Sequence, residues 1–389
     1  MSLIESPLST APAVPAWPSP AASEPAGRSP ALGSSAAATT TAGMPAAGRL
    51  CFDATLPLRH AGLRPLRLAC EWQGPADAPV VVVVGGISAH RHLAPCAEFA
   101  EPGWWQVQVG PGRALDPARW RLLSIDWVGA DGQLDLPLDS ADQADAIACV
   151  LDRLGIGRVH AFVGASYGAM VGLQFAARHG ARLQSLVAIS GGDRAHPYAQ
   201  AWRGLQRKLL RLGASEGGRR QALSLARQLA MLSYRTPEEF AARFAEPAGW
   251  DGTHARFAAE DYLEAQGERF VVRASPTAFA RLSESIDLHA VEAAAVRVPT
   301  TLVAVKEDRL VPCEDLVDLA ERLPRLRRLH VLRSRFGHDA FLKEESAIGA
   351  ILADALAGSF AVEGVDERAA AGADTSARTG AACAQGSRS

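Results

Sequence analysis

The stretch Val159 to Met170 constrains this chain more than any other. Val159 to Val163 is a short apolar run that reads as a buried strand, and the Ala/Gly/Leu-rich run from Ala169 toward Arg178 reads as a helix. Between them, Gly164-Ala165-Ser166-Tyr167-Gly168 fits the spacing G-x-S-x-G. In such an elbow the serine rides a sharp, strained strand-to-helix turn, and the glycines let neighbouring chain approach closely. Its hydroxyl is then exposed at the end of a sheet, over the positive end of a helix. Ser166 is therefore a candidate nucleophile.

The surrounding pattern supplies the sheet. Strands are expected at Leu66–Trp72, Pro79–Val84 (ending in Gly85-Gly86), Trp120–Asp126, Leu183–Ile189, Thr300–Val305 and Leu329–Leu332. Helices are expected at Ser140–Leu154 with Ser140 as N-cap, from near Glu314, and over Ala340–Leu356. Buried strands alternating with helices predict an α/β fold, a mostly parallel sheet with helices on both faces. Asp193 to Val291 breaks the alternation: it reads as helical throughout, a lid above the strands' C-terminal ends. The Ala/Pro/Ser-rich residues 1–48 and residues 362–389 carry no periodic apolar pattern and read as disordered tails, leaving 49–361 as one catalytic domain.

Composition excludes several classes. A net charge of -2 gives no field favouring nucleic acid or an anionic membrane. No apolar run reaches the roughly 18 residues of a membrane span, and the first residues lack a signal-peptide pattern. The 6 cysteines are scattered without a Cys-x-x-Cys pair, which argues against zinc and suits reduced thiols in the cytoplasm. Cys70 and Cys149 are expected to pack as small apolar residues.

A serine hydroxyl needs a base, and the base needs an acid to hold its tautomer. In this architecture they follow the serine in the order acid, then histidine, on loops after later strands. Asp308 lies just past the strand Thr300–Val305, with Glu307 as its competitor. His338 lies in the loop after Leu329–Leu332. The oxyanion hole needs two backbone N–H groups: one from Tyr167, the other from the turn Gly85-Gly86-Ile87-Ser88, with Ile87 as the donor.

With these residues placed, the chain resembles the homoserine O-acyltransferases of the α/β-hydrolase superfamily. The resemblance rests on Gly103-Trp104-Trp105 and Val109 to Asp116, on the elbow, on Met231-Leu232-Ser233-Tyr234-Arg235-Thr236, and on Gly337-His338-Asp339-Ala340-Phe341-Leu342. It spans roughly residues 66–356. It implies an α/β-hydrolase fold, a ping-pong mechanism through an acyl-serine, and acyl-CoA and homoserine as substrates with no cofactor or metal. It also implies a homodimer paired through the lid, with Arg235 and Asp339 binding substrate. A guanidinium for the homoserine carboxylate and a carboxylate for its ammonium fit that zwitterion.

The chain departs from the family pattern at Asp126 to Gly132, a shorter loop, and at Ser88-Ala89-His90-Arg91-His92 beside the oxyanion turn. A succinyl donor is favoured over acetyl, its distal carboxylate needing a cation for which Arg91, His92 and Arg113 are the candidates. Serine in place of homoserine, an acyl hydrolase such as an esterase, and a catalytically dead scaffold are the alternatives.

Overall fold

The computed structural model describes residues 45–213 and 216–358. In chain order the elements are β1 (Ala47–Leu58), β2 (Gly62–Gln73), β3 (Val80–Val84), β4 (Arg121–Ile125), α1 (Ser140–Arg153), β5 (Ala161–Ala165), α2 (Tyr167–His179) and β6 (Leu186–Ile189). Then come α3 (Pro197–Leu212), α4 (Glu216–Tyr234), α5 (Pro237–Arg243), β7 (Gly249–Trp250), β8 (Ala255–Arg256), α6 (Ala258–Val271) and α7 (Pro276–Leu288). The chain closes with β9 (Thr300–Val305), α8 (Cys313–Arg322), β10 (Leu326–Leu332), α9 (Ala340–Lys343) and α10 (Glu345–Ala357).

Eight strands form one sheet in the order β1-β2-β4-β3-β5-β6-β9-β10. The β1/β2 and β2/β4 pairs are antiparallel, and every pair from β4 to β10 is parallel. The five consecutive valines of β3 are buried because both faces of the sheet are covered. Val80, Val82 and Val84 join one core with α1 and α2, while Val81 and Val83 join a second with Trp105 and α10. A parallel strand needs a crossover to its neighbour, so each C-terminal end opens into a loop on the same edge. The loops after β3, β5, β6, β9 and β10 converge there.

Several boundaries differ from expectation. The strand β1 was not anticipated, and it starts at Ala47, inside the expected tail; its alternating burial is that of an antiparallel strand with one wet face. Residues 1–44 of the first expected tail and the whole of the second, 362–389, lie outside the described residues. The N-cap of α1 is Asp139, not Ser140: its carboxylate accepts from Ala141 N and Asp142 N, and Asp142 returns the bond to Asp139 N. The Ser140 hydroxyl instead meets His289 Nδ1 at 2.6 Å. The last helix is broken at Glu344, whose φ −89° and ψ +61° leave the helical region and separate α9 from α10; Gly337–Asp339 form a single tight turn before α9.

The segment between β6 and β9 carries α3 to α7 and, against the all-helical expectation, the small antiparallel pair β7–β8. Three of its helices open alike, with proline at the first turn behind a capping side chain: His196 for α3, Thr236 for α5, Ser275 for α7. Leu223, Ala226, Phe270, Val271 and Phe279 give this lid its own small core. Among the described residues no helix is long and apolar enough to cross a membrane, and Cys51, Cys70, Cys96 and Cys149 are free thiols. Cys70 is fully buried, its thiol pushed up to about 12 by burial, and Cys149 is partly buried against the same core.

Candidate active site

At the end of β5, Ser166 takes φ +57° and ψ −119°, a conformation non-glycine residues rarely adopt. The flanking glycines are required by space. A Cβ at Gly164 would sit 2.2 Å from Gly168 O, and one at Gly168 would sit 2.4 Å from Val84 O. The elbow thus packs directly on β3, beside the turn that begins at Gly85.

The Ser166 hydroxyl lies 2.7 Å from His338 Nε2, and His338 Nδ1 lies 2.7 Å from Asp308 Oδ2. With Nδ1–H donating to the carboxylate, Nε2 is left to accept the serine proton. The other oxygen of Asp308 accepts from Leu310 N at 2.8 Å and Val311 N at 3.0 Å, so the carboxylate is clamped from behind. Glu307 turns away and accepts from Ser334 N at 2.7 Å, so Asp308 and not Glu307 is the carboxylate hydrogen-bonded to His338. Burial works against a charged His338, but the charge and hydrogen bond of Asp308 outweigh it and hold the imidazole above its ordinary range.

Tyr167 is the first residue of α2, and Ile87 lies in the turn after β3. Among the described residues neither backbone N–H has an acceptor in the protein. Both border the cavity into which Ser166 opens. Trp127 supports this turn, donating from Nε1 to Gly86 O at 2.9 Å and stacking edge-on against the Tyr167 ring. The shortened Asp126–Gly132 loop therefore buttresses the elbow, a role the sequence reading did not assign. Ser190, after β6, was also missed: its φ is +50°, and its buried hydroxyl borders the cavity without a partner among the described residues.

The cavity is about 650 Å³ and lies between the strand ends and the lid. Arg235 and Asp339 both border it, and they meet each other: Nε to Oδ2 is 2.8 Å. Arg235 Nη1 also reaches Glu239 Oε1 at 2.6 Å. Burial raises the Asp339 carboxyl, opposed by Arg235 and His338. Thr236, the next residue, hydrogen-bonds Arg335 O, tying the lid to the loop that carries His338. From the segment between β3 and β4, Trp105 donates to Phe341 O in α9 at 3.1 Å, anchoring the helix that follows His338.

None of the three cations expected for a distal acyl carboxylate borders the cavity. Arg91 pairs with Asp126 at 3.0 Å. His92 is buried between Glu71 and the Glu101 carbonyl, each at 2.7 Å. Arg113 is exposed on the Gly110–Gly112 loop. The guanidiniums that do border it are Arg203, Arg227, Arg235 and Arg273. Arg227 was legible in principle, because Arg227, Met231 and Tyr234 fall on one face of α4 at helical spacing.

A parallel sheet crossed by a nucleophile elbow, with histidine and aspartate hydrogen-bonded in line, defines a serine acyl-transfer protein of α/β-hydrolase type. A family model described as the alpha/beta hydrolase fold matches residues 79–345. A homoserine O-succinyltransferase of Xanthomonas campestris pv. campestris is 60% identical over 312 residues, covering 80% of this chain and 85% of that protein. A serine O-succinyltransferase of the same species is 33% identical over 267 residues, 60% of this chain and 70% of the relative. Among solved structures, a homoserine O-acetyltransferase from Bacillus anthracis superposes with a TM-score of 0.72 at 16% identity, over 82% of this chain and 100% of that one, a likeness of fold. This chain belongs to the homoserine O-acyltransferase family of the α/β-hydrolase superfamily.

Proposed function

We propose that this chain transfers the succinyl group of succinyl-CoA to the hydroxyl of L-homoserine, a step of methionine biosynthesis, through a succinyl-serine. The observation that carries the reading is the in-line Ser166–His338–Asp308 chain opening into a cavity with Asp339 beside the histidine. In the first half-reaction His338 Nε2 takes the Ser166 proton and Ser166 Oγ attacks the thioester carbonyl. The N–H groups of Ile87 and Tyr167 receive the oxyanion, each donor worth about 3 kcal/mol in comparable sites. His338 returns the proton to the departing thiolate. In the second half-reaction the homoserine hydroxyl gives its proton to His338 and attacks the ester; the bond from the acyl carbon to Ser166 Oγ breaks, and His338 returns the proton to Ser166 Oγ, releasing O-succinylhomoserine.

Transfer must outrun hydrolysis, so the acceptor must be held where bulk water is excluded. Asp339 is the partner for the homoserine ammonium. For its carboxylate we favour Arg227 over Arg235, whose charge is already met by Asp339 and Glu239. Arg235 then positions Asp339. Acyl-CoA is a substrate, and no cofactor or metal enters the scheme. A CoA thioester and an amino acid as substrates point to the cytoplasm. A homodimer paired through the lid is the assembly this reading includes; Leu212 and Trp250 of the lid segment are 82% and 76% exposed.

Thiol release from succinyl-CoA, followed with and without homoserine, tests the reading. Acceptor-dependent release is expected. Release equally fast without an acceptor would replace the transferase by an acyl hydrolase. Serine run beside homoserine tests the second reading, which the serine O-succinyltransferase likeness favours.

A further inference from the structure

Succinyl transfer to homoserine brings two carboxylates into the cavity that take no part in bond making: that of the amino acid and the distal one of the acyl group. Acetyl transfer brings only the first. Arg235 is met by Asp339 and Glu239, and Arg203 by Asp287 at 2.7 Å. Arg227 and Arg273 differ. Among the described residues neither lies within ion-pair distance of a carboxylate. Arg227 is held by rings, its guanidinium 5.5 Å from Tyr234 and 4.8 Å from Phe270.

The two are also close enough to oppose each other: burial lowers the Arg273 guanidinium, and the charge of Arg227 lowers it further. Arg273 is exposed and Arg227 half-buried, so solvent screens part of this repulsion, and a bound anion relieves the rest. His90, also exposed, lines the same cavity; desolvation lowers its imidazole against the opposing charge of Asp126, and the Arg273 charge lowers it further. A neutral His90 adds a hydrogen-bond donor without a third positive charge. The cavity residues after Asp308 are Leu310 and Val311, which offer an acyl carboxylate nothing. Two guanidiniums with no carboxylate in ion-pair distance among the described residues thus border the cavity that must take two substrate carboxylates.

We infer that Arg273, with His90 beside it, selects the donor by pairing with the distal carboxylate of the succinyl group, in the thioester and then in the succinyl-serine. This rests on the acyl-CoA:homoserine transferase reading. Arg273 takes no part in bond making, so its loss leaves acylation by donors without that carboxylate intact.

Acylation of Ser166 by succinyl-CoA and by acetyl-CoA, compared in wild type, Arg273→Leu and Arg273→Lys, tests it, with a p-nitrophenyl acetate burst reporting folded, active serine. Expected in Arg273→Leu is a loss in kcat/KM for succinyl-CoA of roughly 10- to 100-fold, the worth of one charge-assisted pair. Acetyl-CoA should change by less than about 2-fold, and lysine should restore part of the loss. Equal loss on both donors would assign Arg273 to the CoA body, and unchanged succinyl-CoA kinetics would remove it from the site; either overturns the inference. A wild type that prefers acetyl-CoA overturns it too. Should Arg273→Leu lack the burst, the lysine variant and Arg273→Gln carry the same comparison. A wild type showing no acceptor-dependent thiol release refutes the transferase reading itself, before any variant is made.

Discussion

Arg235 Nε stands 2.8 Å from Asp339 Oδ2, and the two side chains are 10% and 14% exposed. The Nε–H does not point along the line to the oxygen, so the contact is an ion pair without a hydrogen bond. With Glu239 on its other side, Arg235 faces two carboxylates with one charge. Arg243 also reaches Glu239 Oε1, at 3.3 Å, and of the two carboxylates Asp339 is the one that borders the cavity, where an ammonium group can use it.

Replacing Asp339 by Asn should raise the homoserine KM by at least about 10-fold while single-turnover acylation of Ser166 survives. Arg235→Gln breaks a largely buried ion pair and should cost about 3 kcal/mol of stability, read from denaturant midpoints. Arg227→Ala should raise the homoserine KM without that loss. If Arg235→Gln leaves stability intact and abolishes acceptor turnover, Arg235 binds the substrate directly.

Asp308 and Glu307 are neighbours in sequence with opposite assignments. Asp308→Asn forces the wrong histidine tautomer and should lower kcat by about 10⁴-fold. Glu307→Gln retains a side-chain oxygen for Ser334 N and should stay within about 10-fold of wild type. Steady-state kinetics of the two variants separate them.

The Trp127 indole holds Gly86 O next to the Ile87 N–H. Trp127→Phe keeps the ring contact with Tyr167 and removes the hydrogen bond. A neutral hydrogen bond is worth about 1 kcal/mol, so kcat should fall about 5- to 10-fold with KM little changed. An unchanged kcat would mean the turn holds without it.

The pH dependence follows from His338. It works as a base only when neutral, and Asp308 holds its pKa above the ordinary imidazole value. The acid limb of kcat/KM should therefore have its midpoint above about 6.5, with activity rising through it. In Asp308→Asn the residual activity should show that midpoint shifted down.

His289 acts on stability instead. It is buried, with Nδ1 at 2.6 Å from Ser140 Oγ and Nε2 at 3.0 Å from Gly192 O, and burial pushes it down to about 4. Above its unfolded pKa of about 6.5 the group adds no pH dependence. Below that, the unfolded chain takes up a proton the folded one refuses, so stability falls by up to about 3 kcal/mol until pH 4. His289→Gln should be less stable at pH 8 but lose less between pH 6.5 and 4, as urea midpoints would read.

The sequence by itself determined the elbow, the order of the strands along the chain, and the residues that follow β5, β9 and β10. These are local facts: a period of two or of 3.6, a glycine where no Cβ fits, a polar residue where an apolar run ends. A half-wet strand such as β1 is weakly legible because its apolar residues are diluted by exposed ones. Charge partnership is not local at all. Whether Arg91, His92, Arg227, Arg235 or Arg273 is free for a substrate depends on which carboxylate the fold brings within 4 Å, and those carboxylates lie from four to over a hundred residues away. Only the tertiary structure decided that Arg91 and His92 are met by carboxylates of the sheet domain, that Arg235 meets Asp339 from the lid, and that Arg227 and Arg273 border the cavity with no carboxylate within 4 Å among the described residues.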